Sequence, residues 1–177
     1  MLEARLYLLQ RASAMILVPL LLAHLVMILY AIEGGLSAEE ILGRTRGNLL
    51  WAAFYGLFVT AVALHAPIGL RNILREWTGW RGRRLSGLAL ALFLPVHFLV
   101  LGLALDSDAA LDSMIAWTDQ PLVKVAEWGL VMLLTLHLGF GLRVLALEFL
   151  PWRDPLKTLI SLGAGASVLA GILFWIV

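Results

Sequence analysis

Apolar positions in this chain fall in long unbroken runs, without the alternation of a half-buried strand or the single stripe of a soluble helix. Five runs stand out, at roughly 12–32, 48–70, 85–105, 125–147 and 158–177. Each is long enough for a bilayer core of about 30 Å, which takes about 20 apolar residues in a helix. Inside the runs the ionisable groups are histidines and residues near the run ends, such as Glu127 and Arg143. The expectation is an all-α integral membrane protein of five transmembrane helices. It forms one membrane domain over 1–177, a four-helix bundle from two similar hairpins plus a fifth packing helix. The first run is read as a retained helix, since no small-residue cleavage site follows it and comparable runs come after it.

The polar segments between the runs divide unevenly. One side gathers Arg5, Arg11, Arg71, Arg75, Arg81, Arg83, Arg84, Arg143, Arg153 and Lys157. The other has Arg44, Arg46 and Lys124 among Glu33, Glu39, Glu40, Asp106, Asp108, Asp112, Asp119 and Glu127. The positive-inside bias then puts the N-terminus in the cytoplasm and the C-terminus outside, in a bacterial cytoplasmic (inner) membrane. Trp51, Trp77, Trp80, Trp128 and Trp152 lie near expected helix ends, where indoles favour the headgroup layer. No connection is long enough for a soluble catalytic domain, so chemistry on a water-soluble substrate would fall to a partner. The basic segment Arg71–Arg84 is the best docking surface for one.

Composition agrees and narrows the chemistry. Of 177 residues 62% are hydrophobic and 14% charged, where soluble proteins carry roughly a quarter charged. The basic residues form no continuous stripe, which argues against a nucleic-acid partner. With no cysteine, disulfides, thiolate metal sites, iron–sulfur ligation and covalent haem attachment are excluded.

A duplication organises the four histidines. Leu64-His65, Gly69-Leu70-Arg71 and Glu76-Trp77 recur at the same offsets as Leu136-His137, Gly141-Leu142-Arg143 and Glu148-Phe149. His24 and His97 sit a little past the middle of the first and third runs. From His24 to His97 is 73 residues, and from His65 to His137 is 72. His65 and His137 precede Arg71 and Arg143 by six residues, which is about 9 Å along a helix. His24 and His97 lie about 18 Å from the corresponding ends of their helices. The histidines therefore form two pairs at two depths.

Single membrane histidines often serve only as hydrogen-bonding groups between helices. Four at paired depths, without another ionisable group at mid-membrane, point instead to two bis-histidine b-type haems, one at the least. Zinc would need three or four ligands together, and a proton relay would mix in carboxylates. Gly69 and Gly141, one turn from His65 and His137 on the same face, leave room for a porphyrin against the backbone and equally suit close helix packing. Arg71 and Arg143 are candidates for the propionates or for membrane-surface anchoring. No glycine opens a slot beside His24 or His97, where Pro19 and Pro95 are placed to bend the helices. On the fifth run Gly163, Ser167 and Gly171 form a small-residue face suited to close packing.

The His-x-x-x-Gly-x-Arg pattern, with Gln10-Arg11-Ala12-Ser13 ahead of the first run, resembles the membrane anchor of the succinate:quinone oxidoreductases, the succinate dehydrogenases and fumarate reductases. The resemblance covers the whole chain in helix order. It implies that His65 and His137 are axial ligands of the haem nearer the cytoplasm and His24 and His97 those of a distal haem. It implies further that flavoprotein and iron–sulfur subunits dock on the cytoplasmic face and that the anchor exchanges electrons with quinone as substrate. A quinone site at Arg11 and Ser13 is part of that implication. The chain departs from the pattern of the two-subunit members at Ala14, where they tend to have Gly, at Tyr7, where they place a Ser, and at Phe149, where they place a Tyr. Tyr7 is a candidate replacement donor. A quinone site on the outer side near Glu33 or Asp106 is the alternative. The competing functions are a dihaem cytochrome b of another dehydrogenase or a hydrogenase, and a haem-free structural anchor or small transporter.

Overall fold

The computed structural model describes residues 1–34, 37–75, 81–149 and 156–176, and within them every regular element is helical. Four long helices carry the fold: α1 (Leu2–Gly34), α3 (Leu49–Arg75), α4 (Arg81–Gly102) and α6 (Pro121–Phe149). All four are long and apolar enough to cross a membrane, which makes this an all-α multi-pass membrane protein. A further helix, α7 (Leu156–Ile176), holds a shorter apolar run at Ile160–Ile176. Leu22, Val26, Leu57, Leu92, Leu99 and Leu173 are exposed on the helix surfaces, as expected where lipid is the solvent.

The helices outrun the apolar segments read from sequence. α1 has 33 residues, about 50 Å at 1.5 Å per residue, and begins ten residues before the expected start at 12. Hydropathy marks only what lies in the hydrocarbon. The N-terminal turns, with Glu3, Arg5 and Arg11, continue the same helix beyond it. The chain also runs helically through Pro19, Pro67 and Pro95. α4 tightens into a 3-10 turn at Leu103–Leu105.

Two short helices occupy the connections within the hairpins, α2 (Ala38–Thr45) and α5 (Asp108–Thr118). Each starts on a serine. The Ser37 Oγ accepts from the Glu40 N–H while the Glu40 carboxylate accepts from the Ser37 N–H, a reciprocal cap. Ser107 Oγ accepts from the Ala110 N–H. The two helices pack together, and the Asp112 carboxylate of α5 accepts a 2.7 Å hydrogen bond from the Ala38 N–H, a free donor at the start of α2. Ala38 and Leu111, both buried, belong to these helices. Gly47, at φ +73°, turns the chain from α2 toward α3.

Packing of the long helices closes a ring: α1 against α3, α3 against α4, α4 against α6 and α6 against α1. The diagonals of the ring are α1–α4 and α3–α6. α7 lies outside it, on α6. There the small-residue face is filled. Gly163 and Gly139 bring the two backbones together, since a Cβ on Gly139 would stand 3.2 Å from the Gly163 Cα. Ser167 Oγ donates to the Met132 carbonyl (2.8 Å) and the Trp128 indole donates to the Gly171 carbonyl (3.0 Å). Trp128 thus bridges two helices. Trp77, Trp80 and Trp152 lie outside the described residues, as do Glu76, Arg153 and the side chains of Glu33, Arg44, Arg81, Arg83, Arg84 and Lys157.

A Cβ at Gly171 would meet Trp128 Nε1 at 2.9 Å and Met132 Cγ at 3.0 Å. Gly171→Val is expected to destabilise the protein by about 1–3 kcal/mol through overpacking. Thermal unfolding in detergent checks this: the midpoint should fall for Gly171→Val and hold for Gly165→Val, where a Cβ meets nothing within 4 Å.

Candidate functional site: two histidine pairs across the bundle

The four histidines project from the four long helices and meet along the two diagonals. His65 of α3 and His137 of α6 stand with ring centroids 6.3 Å apart and planes at 87°. His24 of α1 and His97 of α4 stand 6.5 Å apart at 71°. Each ring is half-buried. Ser13 on α1 joins the first pair through His65, and Gly87 on α4 joins it through His137. From Ser13 to His24 is 11 residues and from Gly87 to His97 is ten, so the two levels lie about 15 Å apart along the bundle.

Polar chemistry concentrates at the first level. Ser13 is buried; its hydroxyl lies 3.3 Å from His65 Nδ1 and donates to the Gln10 carbonyl at 3.1 Å. The Gln10 amide nitrogen lies 3.3 Å from His65 Nε2 and 3.3 Å from where a Gly69 Cβ would be. The space beside Gly69 is therefore taken by the Gln10 side chain. Gly141, its counterpart on α6, faces open space. His137 makes its closest backbone approach at Gly87, whose Cβ would stand 3.5 Å from His137 Cε1. Nδ1 of His137 is buried with no hydrogen-bond partner among the described residues.

Aromatic groups line the second level. The His24 ring meets Tyr55 edge-on (5.9 Å) and Phe58 (5.3 Å), and Phe93 stacks on His97 (5.2 Å). His24 Nδ1 is buried and likewise lacks a partner among the described residues. A mostly apolar cavity of about 380 Å³ opens from Tyr55 along Trp51, Asn48 and Thr45.

At the other end, beyond the first level, charges tie the helices together. Arg71 grips Glu3 with two nitrogens (2.6 and 3.1 Å), and Arg75 reaches the same carboxylate at 2.9 Å. Arg11 pairs with Glu148 of α6 at 2.7 Å and lies over the Tyr7 ring. Between them lies a polar cavity of about 330 Å³ lined by Glu3, Leu6, Tyr7, Gln10, Arg11, Arg71 and Asn72. Tyr7 and Arg11 thus share a cavity, and Ser13 turns inward to His65. Arg143, half-buried, is also engaged.

Three residues here escape a reading based on histidines alone: Gln10, Ser86 and Gly87. Arg84-Leu85-Ser86 repeats Arg11-Ala12-Ser13 at a separation of 73 residues, the separation of His24 and His97. Ser86, like Ser13, is buried. The shared spacing was the available signal. Among the described residues no three His, Asp or Glu side chains cluster as a metal site. The chemistry open to the site is that of paired imidazoles.

The Arg11–Glu148 contact spans α1 and α6 at partial burial. A double-mutant cycle with Arg11→Ala and Glu148→Ala, read by thermal or denaturant unfolding, is expected to give a coupling of about 0.5–1 kcal/mol.

The model of the family described as succinate dehydrogenase/fumarate reductase transmembrane subunit matches the chain twice, over residues 2–83 and 74–174. The first match contains His24 and His65, the second His97 and His137. Comparisons with curated proteins and with solved structures return no match.

Proposed function

The chain belongs to the succinate dehydrogenase/fumarate reductase transmembrane subunit family, and from that premise we propose that it is a dihaem cytochrome b anchor passing electrons between an iron–sulfur partner and membrane quinone. The observation that carries the proposal is the diagonal pairing of all four histidines. Two imidazoles sharing one metal, at metal–nitrogen bonds of about 2 Å, stand with centroids about 6 Å apart. The separations here are 6.3 and 6.5 Å.

Other features fit the same group. The buried Nδ1 atoms of His24 and His137 have no partner among the described residues, and an imidazole needs only one nitrogen for iron. Gly141 leaves free the space that a flat ring needs next to a helix. Within the described residues, Ala61 and Ile68 of α3 are the only apolar side chains buried in the long helices, so side chains alone do not close the bundle. Haem supplies a one-electron couple whose potential follows from its axial ligands and surroundings. Through their imidazoles His65 and His137 would hold one haem and His24 and His97 the other. For the propionates the candidates are Arg71 and Arg143, with Arg71 already balanced by Glu3.

Quinone is assigned to the polar cavity where Tyr7 and Arg11 meet, beside the first histidine level. A phenol hydroxyl and a guanidinium are both donors suited to a quinone carbonyl. The same end would face the cytoplasm and the flavoprotein and iron–sulfur subunits, with α7 as the fifth crossing and the C-terminus outside.

The test is a dithionite-reduced minus oxidised spectrum on purified protein, with haem measured as the pyridine haemochrome. About two haem b per chain are expected. His65→Ala or His137→Ala should remove one, and His24→Ala or His97→Ala the other. Protein that is colourless after growth with ample haem would overturn the proposal and favour a haem-free anchor.

A further inference from the structure

Ser13 carries chemistry that neither the histidine pattern nor the cavity accounts for. Its hydroxyl has one proton, and that proton is directed to the Gln10 carbonyl (3.1 Å). With that proton so placed, the oxygen presents a lone pair to His65 Nδ1 at 3.3 Å, the arrangement suited to an imidazole protonated on Nδ1. Gln10 gives the same answer from the other side. Its amide N–H points at His65 Nε2 from 3.3 Å, which requires a lone pair there. One tautomer, with the proton on Nδ1, satisfies both contacts; its Nε2 lone pair faces the Gln10 amide nitrogen, which a metal at Nε2 would displace. His137 has no such device: its Nδ1 lacks a partner among the described residues.

We propose that Ser13 is a positioning residue that orients His65 and sets its tautomer, so that the two axial imidazoles at this level are inequivalent in donor strength. This rests on the haem reading above. An acceptor on the remote ring N–H raises the basicity of a ligating histidine, and the Ser13 hydroxyl is strengthened as an acceptor by its own bond to the Gln10 carbonyl. A more basic ligand favours the ferric state. Removing the acceptor should therefore raise the midpoint potential of the haem at this level.

The experiment is a redox titration of the purified full-length chain, comparing wild type, Ser13→Ala and Ser13→Thr, with haem counted in each. In Ser13→Ala one midpoint is expected to rise by up to tenfold in the ferric/ferrous ratio, about 59 mV for one electron. The other, at His24 and His97, should stay in place, and Ser13→Thr should keep both at wild-type values. Two haems with unmoved midpoints in Ser13→Ala, or equal movement of both, would overturn the proposal. Should Ser13→Ala lose one haem, Ser13→Thr decides: two haems at wild-type potentials support the hydrogen bond, and loss as in alanine overturns it. Wild-type protein without haem would instead overturn the reading on which the proposal rests.

Discussion

Burying an imidazole in a hydrocarbon slab costs free energy unless something inside the slab meets its polar atoms, and this protein buries four. The arrangement of the bundle follows from that cost. Each histidine sits on a helix diagonal to its neighbour's, so that α1 faces α4 and α3 faces α6 across the centre rather than along an edge. Adjacent helices then supply what remains, Ser13 and Gln10 beside His65, the bare backbone of Gly87 beside His137 and the rings of Tyr55 and Phe58 beside His24, while Phe93 of α4 itself stacks on His97. The two levels differ in kind. One is polar and next to charged helix ends, the other is wrapped in aromatic carbon.

Both ends of the bundle are held by polar contacts, and those at Glu3, Arg71 and Arg75 are exposed enough for water and salt to compete with them. At one end Glu3, Arg71, Arg75, Arg11 and Glu148 join α1 to α3 and α6. At the other, Asp112 ties α5 to the first turn of α2. The outer helix α7 has no charge of this sort in its described contacts with α6. It relies on Gly163, Ser167 and Gly171, whose small size lets dispersion and two hydrogen bonds to backbone carbonyls take the place of a hydrophobic driving force that lipid cannot provide.

Much of this was legible in the sequence because the membrane makes it so. Runs of apolar residues mark the four long helices, and histidines are conspicuous where nothing else is ionisable. The duplication announced two matched halves. Other features were not legible. α2 and α5 are short and mixed in polarity, and their stability comes from serine caps and from each other, so hydropathy reads them as connections. The true ends of α1 and α6 lie past the hydrocarbon, where the apolar signal stops. Gln10 filling the space beside Gly69 is a matter of side-chain placement that spacing cannot reveal. Ser13 stood in a recognisable Arg-x-Ser element, yet only the structure turns it toward His65. The second Arg-x-Ser element, at Arg84 and Ser86, was there to be read from the 73-residue repeat.

The pairing along the diagonals has a bearing on how the chain assembles. α1 and α3 belong to the first half, α4 and α6 to the second, and both histidine pairs join one half to the other. A nascent hairpin in the bilayer thus holds two imidazoles whose neighbours have yet to be synthesised. Neither half can complete either pair by itself. Completion of the pairs therefore coincides with the docking of the two halves, and until then each half carries imidazoles that its own helices leave unmatched.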